Sequence, residues 1–241
     1  MELFYDLHIH SCLSPCGNDD CTPANIAMLA QMLGLQAVAL TDHNTCKNCP
    51  AFFKAAEQAG ILPIAGMELT VQEEFHVLCL FPQLDQAMKF DELVHQQLLP
   101  FKNDKSIYGN QLIVDSEDDI VGEEEICLIN ATMIDFYSLP QIVHNLGGII
   151  IPAHIDRSAF SMIATLGSVP PDVGFDCVEI KYPNAVDNLC RQHPYLQQCK
   201  IIHDSDAHQL EDISLPIHKL QVEQFTAQSV LASLSKRYNQ T

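Results

Sequence analysis

Short apolar runs alternate with amphipathic stretches along most of the chain. Leu3 to Ile9 reads as a strand. Thr22-Pro23 marks a helix start, with Thr22 as N-cap and Pro23 at the first helical position; Ile26, Leu29, Ala30 and Leu33 form an apolar stripe stopped by Gly34. Ala37 to Leu40 is a short strand, and Pro50 opens a helix through Phe52, Phe53, Ala56 and Ala59 that Gly60 ends. Strands follow at Leu62 to Ala65 and Val77 to Phe81, then a helix from Leu84 to about Leu99. Ser138-Leu139-Pro140 caps a helix ending at Gly147-Gly148, after which Ile149 to Ala153, Cys177 to Ile180, Lys200 to His203 and Leu220 to Val222 read as strands. Gln228 to Leu234 closes the chain as an amphipathic helix. This rhythm predicts parallel strands joined by right-handed crossovers, and about seven strands predict a closed or nearly closed βα barrel.

The rhythm breaks once. Between Gln111 and Glu125 the chain reads as a polar-tipped hairpin, part of a segment around 84–135 inserted into a single domain spanning 1–241. Seven residues from Asp115 to Glu125 are acidic, which predicts a solvated flap, with cation binding or partner docking as the alternative. The whole chain has 31 acidic against 12 basic residues, a formal net charge of −19. That balance argues against a long nucleic-acid track or an anionic membrane surface, so a phosphate ligand would be held locally, by metals or a few cations. The absence of a span-length apolar run and of a signal core ahead of the first strand predicts a cytoplasmic protein. With 241 residues, 47% of them apolar, the chain can bury a full core, and its ten cysteines then read as reduced core residues or ligands rather than a disulfide framework.

Candidate chemistry sits where the apolar runs end. His8 and His10 flank Ile9, so a strand places both imidazoles on one side. One His-x-His is a weak signal, since strands often carry two polar residues on a solvent face. Here it is joined by Thr41-Asp42-His43, Gly66-Met67-Glu68, His76, Ala153-His154 and Ser205-Asp206-Ala207-His208. In a βα barrel, strand ends carry the chemistry, so six histidines and two carboxylates would meet on one rim. Imidazole with carboxylate suits zinc, manganese or iron, and a carboxylate can bridge two such ions. His76 has a competing reading as a hydrogen-bonded core histidine, whereas His95, His144, His193, His203 and His218 read as ordinary.

These motifs, in this order from about residue 3 to 210, resemble those of the PHP (polymerase and histidinol phosphatase) family. The resemblance implies a distorted (β/α)7 TIM-like barrel, here carrying an inserted acidic β-hairpin, with two or three divalent metal ions that hydrolyse phosphoesters through a metal-activated hydroxide. It implies that His8, His10, Glu68 and Asp206 hold one metal, that Glu68 bridges it to a second held by His76 and His154, and that His43 and His208 hold a third. Family members often complete the third shell with a His or Asp shortly after the His-x-His. This loop has none at that place, and Cys16 is nearest to it, with Asp19 or Asp20 able to reach in if the loop folds back.

The expected reaction is hydrolysis of a small-molecule or nucleotide phosphate ester, with Glu68, His10, Asp206 and Arg157 carrying the catalysis. Arg157 is the first choice for a phosphate clamp, because its fork matches phosphate oxygens; a surface ion pair is its ordinary reading. Lys181 and Lys47 are further substrate-binding candidates. Asp6 and Asp42 are expected to orient imidazoles. Alternatives are a short-oligonucleotide exonuclease, a catalytically silent metal-bound scaffold or sensor, and hydrolysis of a non-phosphate bond, for which no strand clearly offers a carbamylated lysine. Cys46-Lys47-Asn48-Cys49 has the spacing of a dithiol redox motif and, with Cys12, Cys16 and Cys21, of a separate zinc or iron–sulfur site; small loop residues are the ordinary reading.

Overall fold

The structure is a computed structural model and describes residues 1–236. Its elements, in order, are β1 (Glu2–Ile9), α1 (Pro23–Leu33), β2 (Ala37–Leu40), α2 (Cys49–Ala59), β3 (Leu62–Thr70), β4 (His76–Phe81), α3 (Leu84–His95) and a one-turn α4 (Lys105–Tyr108). There follow β5 (Leu112–Val114), β6 (Ile120–Glu123), α5 (Leu139–Asn145), β7 (Ile149–Pro152), α6 (Met162–Leu166), β8 (Cys177–Glu179), α7 (Val186–Gln192), β9 (Lys200–Ile202), β10 (Lys219–Gln221) and α8 (Ala227–Leu234).

One six-stranded sheet runs β10-β1-β2-β3-β4-β7. β1, β2 and β3 are parallel, as the sequence predicts, but β4 runs antiparallel to both β3 and β7. The reason is length: the turn from Thr70 to His76 is too short for a crossover helix, so the chain doubles back as a hairpin. β8 and β9 form a separate parallel pair. The N–H of Ile155 donates to Glu179 O (3.0 Å) on one side of that pair, and that of His10 to Ala207 O (2.9 Å) on the other. Seven strands, β1 to β4 and β7 to β9, therefore curl into a nearly closed barrel with β10 as an antiparallel edge.

Two apolar layers follow from the alternation. Ile26 and Ala30 of α1, Phe52 and Ala56 of α2 and Phe90 of α3 pack outside the strands, against Val38, Leu40, Ala65 and Met67. Leu3, Tyr5, Leu7, Ala37, Ala39, Ile64, Leu78 and Ile151 fill the inside, where α8 adds Val230, Leu231 and Leu234 near the start of β1. Strand β1 changes face partway: Leu7 belongs to the inner cluster and Ile9 to the outer one, and the register against β2 shifts between Asp6 and Ile9. This irregularity turns His8 and His10 inward at the strand's end, a re-aiming that bulges commonly perform beside sites.

The helix signals hold at α1, where Thr22 accepts from Asn25 N–H and Gly34 is left-handed (φ 89°), and at α2, which Gly60 ends at φ 70°. They fail in detail elsewhere. Helix α3 stops at His95 rather than near Leu99, and Ser138 does not cap α5, because its hydroxyl turns back to Asp135. The acidic hairpin forms as β5–β6, yet it is no free flap. Leu112 N–H donates to Cys12 O (2.9 Å), and Leu112 and Val114 are buried against Cys12. Asp118 accepts from Thr22 Oγ1 and from Ala24 N–H at the start of α1. Part of the acidic run is thus spent on capping a helix, which charge counting reads as solvation.

Candidate metal centre

Glu68 lies fully buried among five imidazoles. Its Oε1 is 3.2 Å from His8 Nε2, 2.9 Å from His76 Nδ1 and 3.0 Å from His154 Nε2; its Oε2 is 3.3 Å from His10 Nε2 and 2.9 Å from His43 Nδ1. Asp206 Oδ1 stands 3.4 Å from both His8 Nε2 and His10 Nε2. The structure therefore brings together three groups, each with donor atoms within 4.8 Å of one another: His8, His10, Glu68 and Asp206; His43, Glu68 and His76; and His10, His43 and His208. His154 meets the second group through Glu68. His43, expected beside His208, reaches both the second and third groups.

The donor set suits divalent cations. His43 Nδ1, His76 Nδ1 and Glu68 Oε2 are buried and have no hydrogen-bond partner, although they converge within ion-pair range. Buried polar atoms are normally satisfied, and a cation bound to these nitrogens and carboxylate oxygens would satisfy all three.

Local folding explains how Glu68 gets there. A Cβ on Gly66 would sit 2.7 Å from Leu80 Cδ2, 3.0 Å from Thr41 Cγ2 and 3.1 Å from Cys79 O, so glycine lets β3 run close between β2 and β4 without displacing them. His154 (φ 29°) and Asp206 (φ 53°) both hold left-handed backbone, which L-residues adopt at a cost of order 1–3 kcal/mol and which clusters at sites. Glu179 secures the first: its Oε2 accepts from His154 N–H and from His8 Nδ1–H, both at 3.0 Å. With Nδ1–H so held, His8 Nε2 is left for the centre. Ser14 does the same for His10, with its Oγ 2.9 Å from His10 Nδ1 and donating to Asp42 Oδ1 at 2.7 Å. Neither Glu179, Ser14 nor Ser11, which donates from N–H and Oγ to Asp42, stands out in the sequence. The available signal for Glu179 was a carboxylate inside the apolar run Cys177 to Ile180.

Charge follows from these contacts. Burial pushes the Glu68 carboxyl up, but His76, His8 and His43 outweigh it and hold it well below the usual range. Asp206 is likewise depressed, burial being overcome by His8 and His10. Burial opposes charge on His8, yet Glu179, Glu68 and Asp206 raise it well above the ordinary imidazole value. His43, by contrast, is lowered to about 4 and His208 to about 3, burial being the main cause in both.

The remaining candidates divide. Arg157 reaches the rim, with Nη1 2.7 Å from Asp206 Oδ2 and its side chain 45% exposed. Lys181 Nζ donates to Ser205 O beside Asp206. Lys47 points elsewhere, into an ion pair with Glu124 of the insertion, because the hairpin's base brings that carboxylate to the start of α2. Cys16 joins none of the three groups: it is exposed at φ 63°, with its N–H on Tyr108 O. The turn that carries it is held outward by the insertion, and Ser14, not Cys16, faces the histidines. Asp19 is taken by Asn110, and neither it nor Asp20 enters a group. Asp42 acts on His10 only through Ser14, and Asp6 holds backbone instead, accepting from Ser205 N–H at 3.1 Å and His8 N–H at 3.4 Å. Cys46 and Cys49 are buried with their thiols on Gly66 O, and burial first, then Cys49, raises the Cys46 thiol well above its usual value; neither suits a dithiol redox role.

A curled barrel with a rim of histidines and carboxylates defines an α/β barrel protein whose strand ends could hold divalent metals. The match to the PHP domain model over residues 6–212 makes the assignment, and the chain belongs to that family, whose members are hydrolases acting on phosphoric ester bonds. It is 39% identical over 77 residues to an error-prone DNA polymerase of Symbiobacterium thermophilum, a stretch covering 32% of this chain and 7% of the polymerase. Among solved structures it resembles the lesion-specific endonuclease EndoQ of Pyrococcus furiosus (TM-score 0.69, 19% identity, 98% of this chain and 56% of that one). It also resembles a protein of Bifidobacterium adolescentis described as a metal-dependent phosphoesterase (TM-score 0.55, 18% identity, 96% of each chain). The chain thus spans only part of the polymerase and of the endonuclease. Among the described residues, no helix is long and apolar enough to cross a membrane.

Proposed function

We propose that the protein is a metal-dependent phosphoesterase that hydrolyses a small-molecule or nucleotide phosphate ester at this rim. One observation carries the reading: the donor atoms of His8, His10, Glu68 and Asp206 gather within 4.8 Å of one another, and Glu68 is shared with His43 and His76. Two divalent ions (zinc, manganese or iron) would be held by these residues with His154. A third, at His10, His43 and His208, would be weaker, because Cys16 stays outside it. Bound there, the ions would make a hydroxide available at neutral pH and would offset phosphate charge.

The chain's own part is positioning. Glu179 and Ser14 fix the ring orientations of His8 and His10. Arg157, half exposed and bonded to Asp206 through Nη1, would take phosphate oxygens with the rest of its fork. Lys181 fixes the Ser205 carbonyl beside it and adds positive charge. Relatives that are DNA polymerases, or a lesion endonuclease solved on a 27-mer duplex, keep a nucleic-acid substrate in view. A formal charge of −19 favours a nucleotide-sized one, since a long duplex needs a basic track. Ten unpaired cysteines fit a reducing, cytoplasmic setting.

Metal content and manganese-, zinc- or iron-dependent hydrolysis of aryl and nucleotide phosphates, in wild type and His10→Ala, test this. Turnover by wild type, with loss of both metal and at least about a thousandfold of activity in His10→Ala, is the expected outcome. Metal binding without turnover on any ester would favour the scaffold role.

A further inference from the structure

Phe160 is an anomaly at the rim. It is 52% exposed, and it holds left-handed backbone (φ 53°). Both features cost free energy that a glycine or a polar residue here would avoid. One face of its ring stacks on His76, with centroids 5.3 Å apart and planes at 18°. Its carbonyl accepts from His76 N–H at 3.2 Å, so ring and backbone together are fixed to a residue of the centre.

The loop that carries it is closed by its own hydrogen bonds. Arg157 N–H donates to His154 O (3.0 Å), and Ser161 Oγ donates to Arg157 O (2.6 Å) while accepting from Ala164 N–H as the N-cap of α6. Three functions thus hang on one rigid loop of eight residues, 154 to 161: a histidine on Glu68, a cation on Asp206 and an aromatic surface on His76. Arg157 marks the Asp206 side of the centre, and Phe160 marks the His76 side.

We propose that Phe160 is a stacking surface for the base of a nucleoside phosphoester, making the site selective for nucleotides over aliphatic phosphates. The proposal rests on the phosphoesterase reading and narrows its substrate. Because Arg157 sits on the Asp206 side and Phe160 on the His76 side, an ester whose phosphate is held by Arg157 and whose substituent crosses the centre would meet the exposed part of the Phe160 ring. A base stacked on an aromatic side chain gains contact between two flat faces, which an aliphatic substituent cannot match. With 31 acidic residues against 12 basic ones, a part of the substrate that binds without charge is where affinity can be gained.

The test compares two phosphonates that no esterase can cleave, because carbon replaces the bridging oxygen: the isostere of adenosine 5′-monophosphate, and propylphosphonate. Their affinities are measured calorimetrically on manganese-loaded wild type, Phe160→Leu and Phe160→Tyr, with metal content determined for each. Wild type should prefer the adenosine compound about tenfold or more, equal to about 1.4 kcal/mol. In Phe160→Leu that ratio should collapse toward one, and Phe160→Tyr should restore it. An unchanged ratio in Phe160→Leu overturns the proposal, and so does equal weakening of both ligands with loss of metal, which would leave Phe160 as a support for His76. Because these ligands report binding alone, a shifted ratio in a protein that hydrolyses nothing would sustain the stacking surface while the esterase reading fails.

Discussion

His8 and Glu179 show how one buried pair sets the behaviour of the centre. Three carboxylates around His8 favour its charged form despite complete burial, so in the absence of metal it holds a proton well past the ordinary imidazole value. That proton must leave before Nε2 can bind a cation, so metal affinity should rise with pH and level off only above the raised value. The sign is fixed by which form binds: the neutral imidazole is the ligand, and low pH depletes it. In Glu179→Gln the proton is held less tightly, so the plateau should begin at lower pH. The plateau affinity should also fall about 10–100-fold, because the ring loses its charged anchor. Calorimetric titration with manganese across pH, in buffers of different ionisation enthalpy, reads both effects; a pH-independent affinity in wild type would contradict the charge assignment.

At the scale of elements, Asn48 is one of the buried joints between the insertion and the barrel. This buried residue, at the start of α2, donates from Nδ2 to Ser11 Oγ (3.0 Å) and Leu112 O (3.1 Å) and accepts from Val114 N–H (3.1 Å). It therefore ties β5 to the turn that carries Ser11 and Ser14, and through them to Asp42 and His10. Asn48→Ala leaves several of these groups buried and unpaired, at roughly 1–3 kcal/mol for each that water cannot reach. A loss of about 2–4 kcal/mol in urea denaturation is expected. A loss under 1 kcal/mol would mean that the insertion is held by its apolar contacts at Cys12 instead. The hairpin was legible because strand signals flank a polar tip. Its docking was not, since Asn48 and Leu112 are 64 residues apart and nothing local links them.

For the molecule as a whole, the centre closes the barrel. Residues from β1, the ends of β2 and β3, β4 and the loops after β7 and β9 meet at Glu68, so a cation bound there crosslinks most of the fold. Ligand at a hundredfold excess over its dissociation constant stabilises by about 2.7 kcal/mol. Chelator-treated protein should accordingly melt about 5–10 °C below the manganese-loaded form in calorimetry, at the two to four degrees per kcal/mol expected for this size. Equal midpoints would argue that the cluster is structural without metal.

The sequence by itself determined the strand order, the helices α1, α2, α3, α5 and α8 but not the short α4, α6 and α7, the turn glycines Gly34 and Gly60, the hairpin and the identity of the histidines and carboxylates at the rim. Those depend on local periodicity and on residue chemistry, which neighbours in the chain already express. Tertiary structure alone decided that β4 reverses, that β1 shifts register to aim His8 and His10 inward, that Lys47 faces Glu124 and that Cys16 stays outside. It also decided that Glu179 and Ser14 hold the imidazoles. Each of these depends on which distant segment supplies the partner atom, and that is settled by three-dimensional packing.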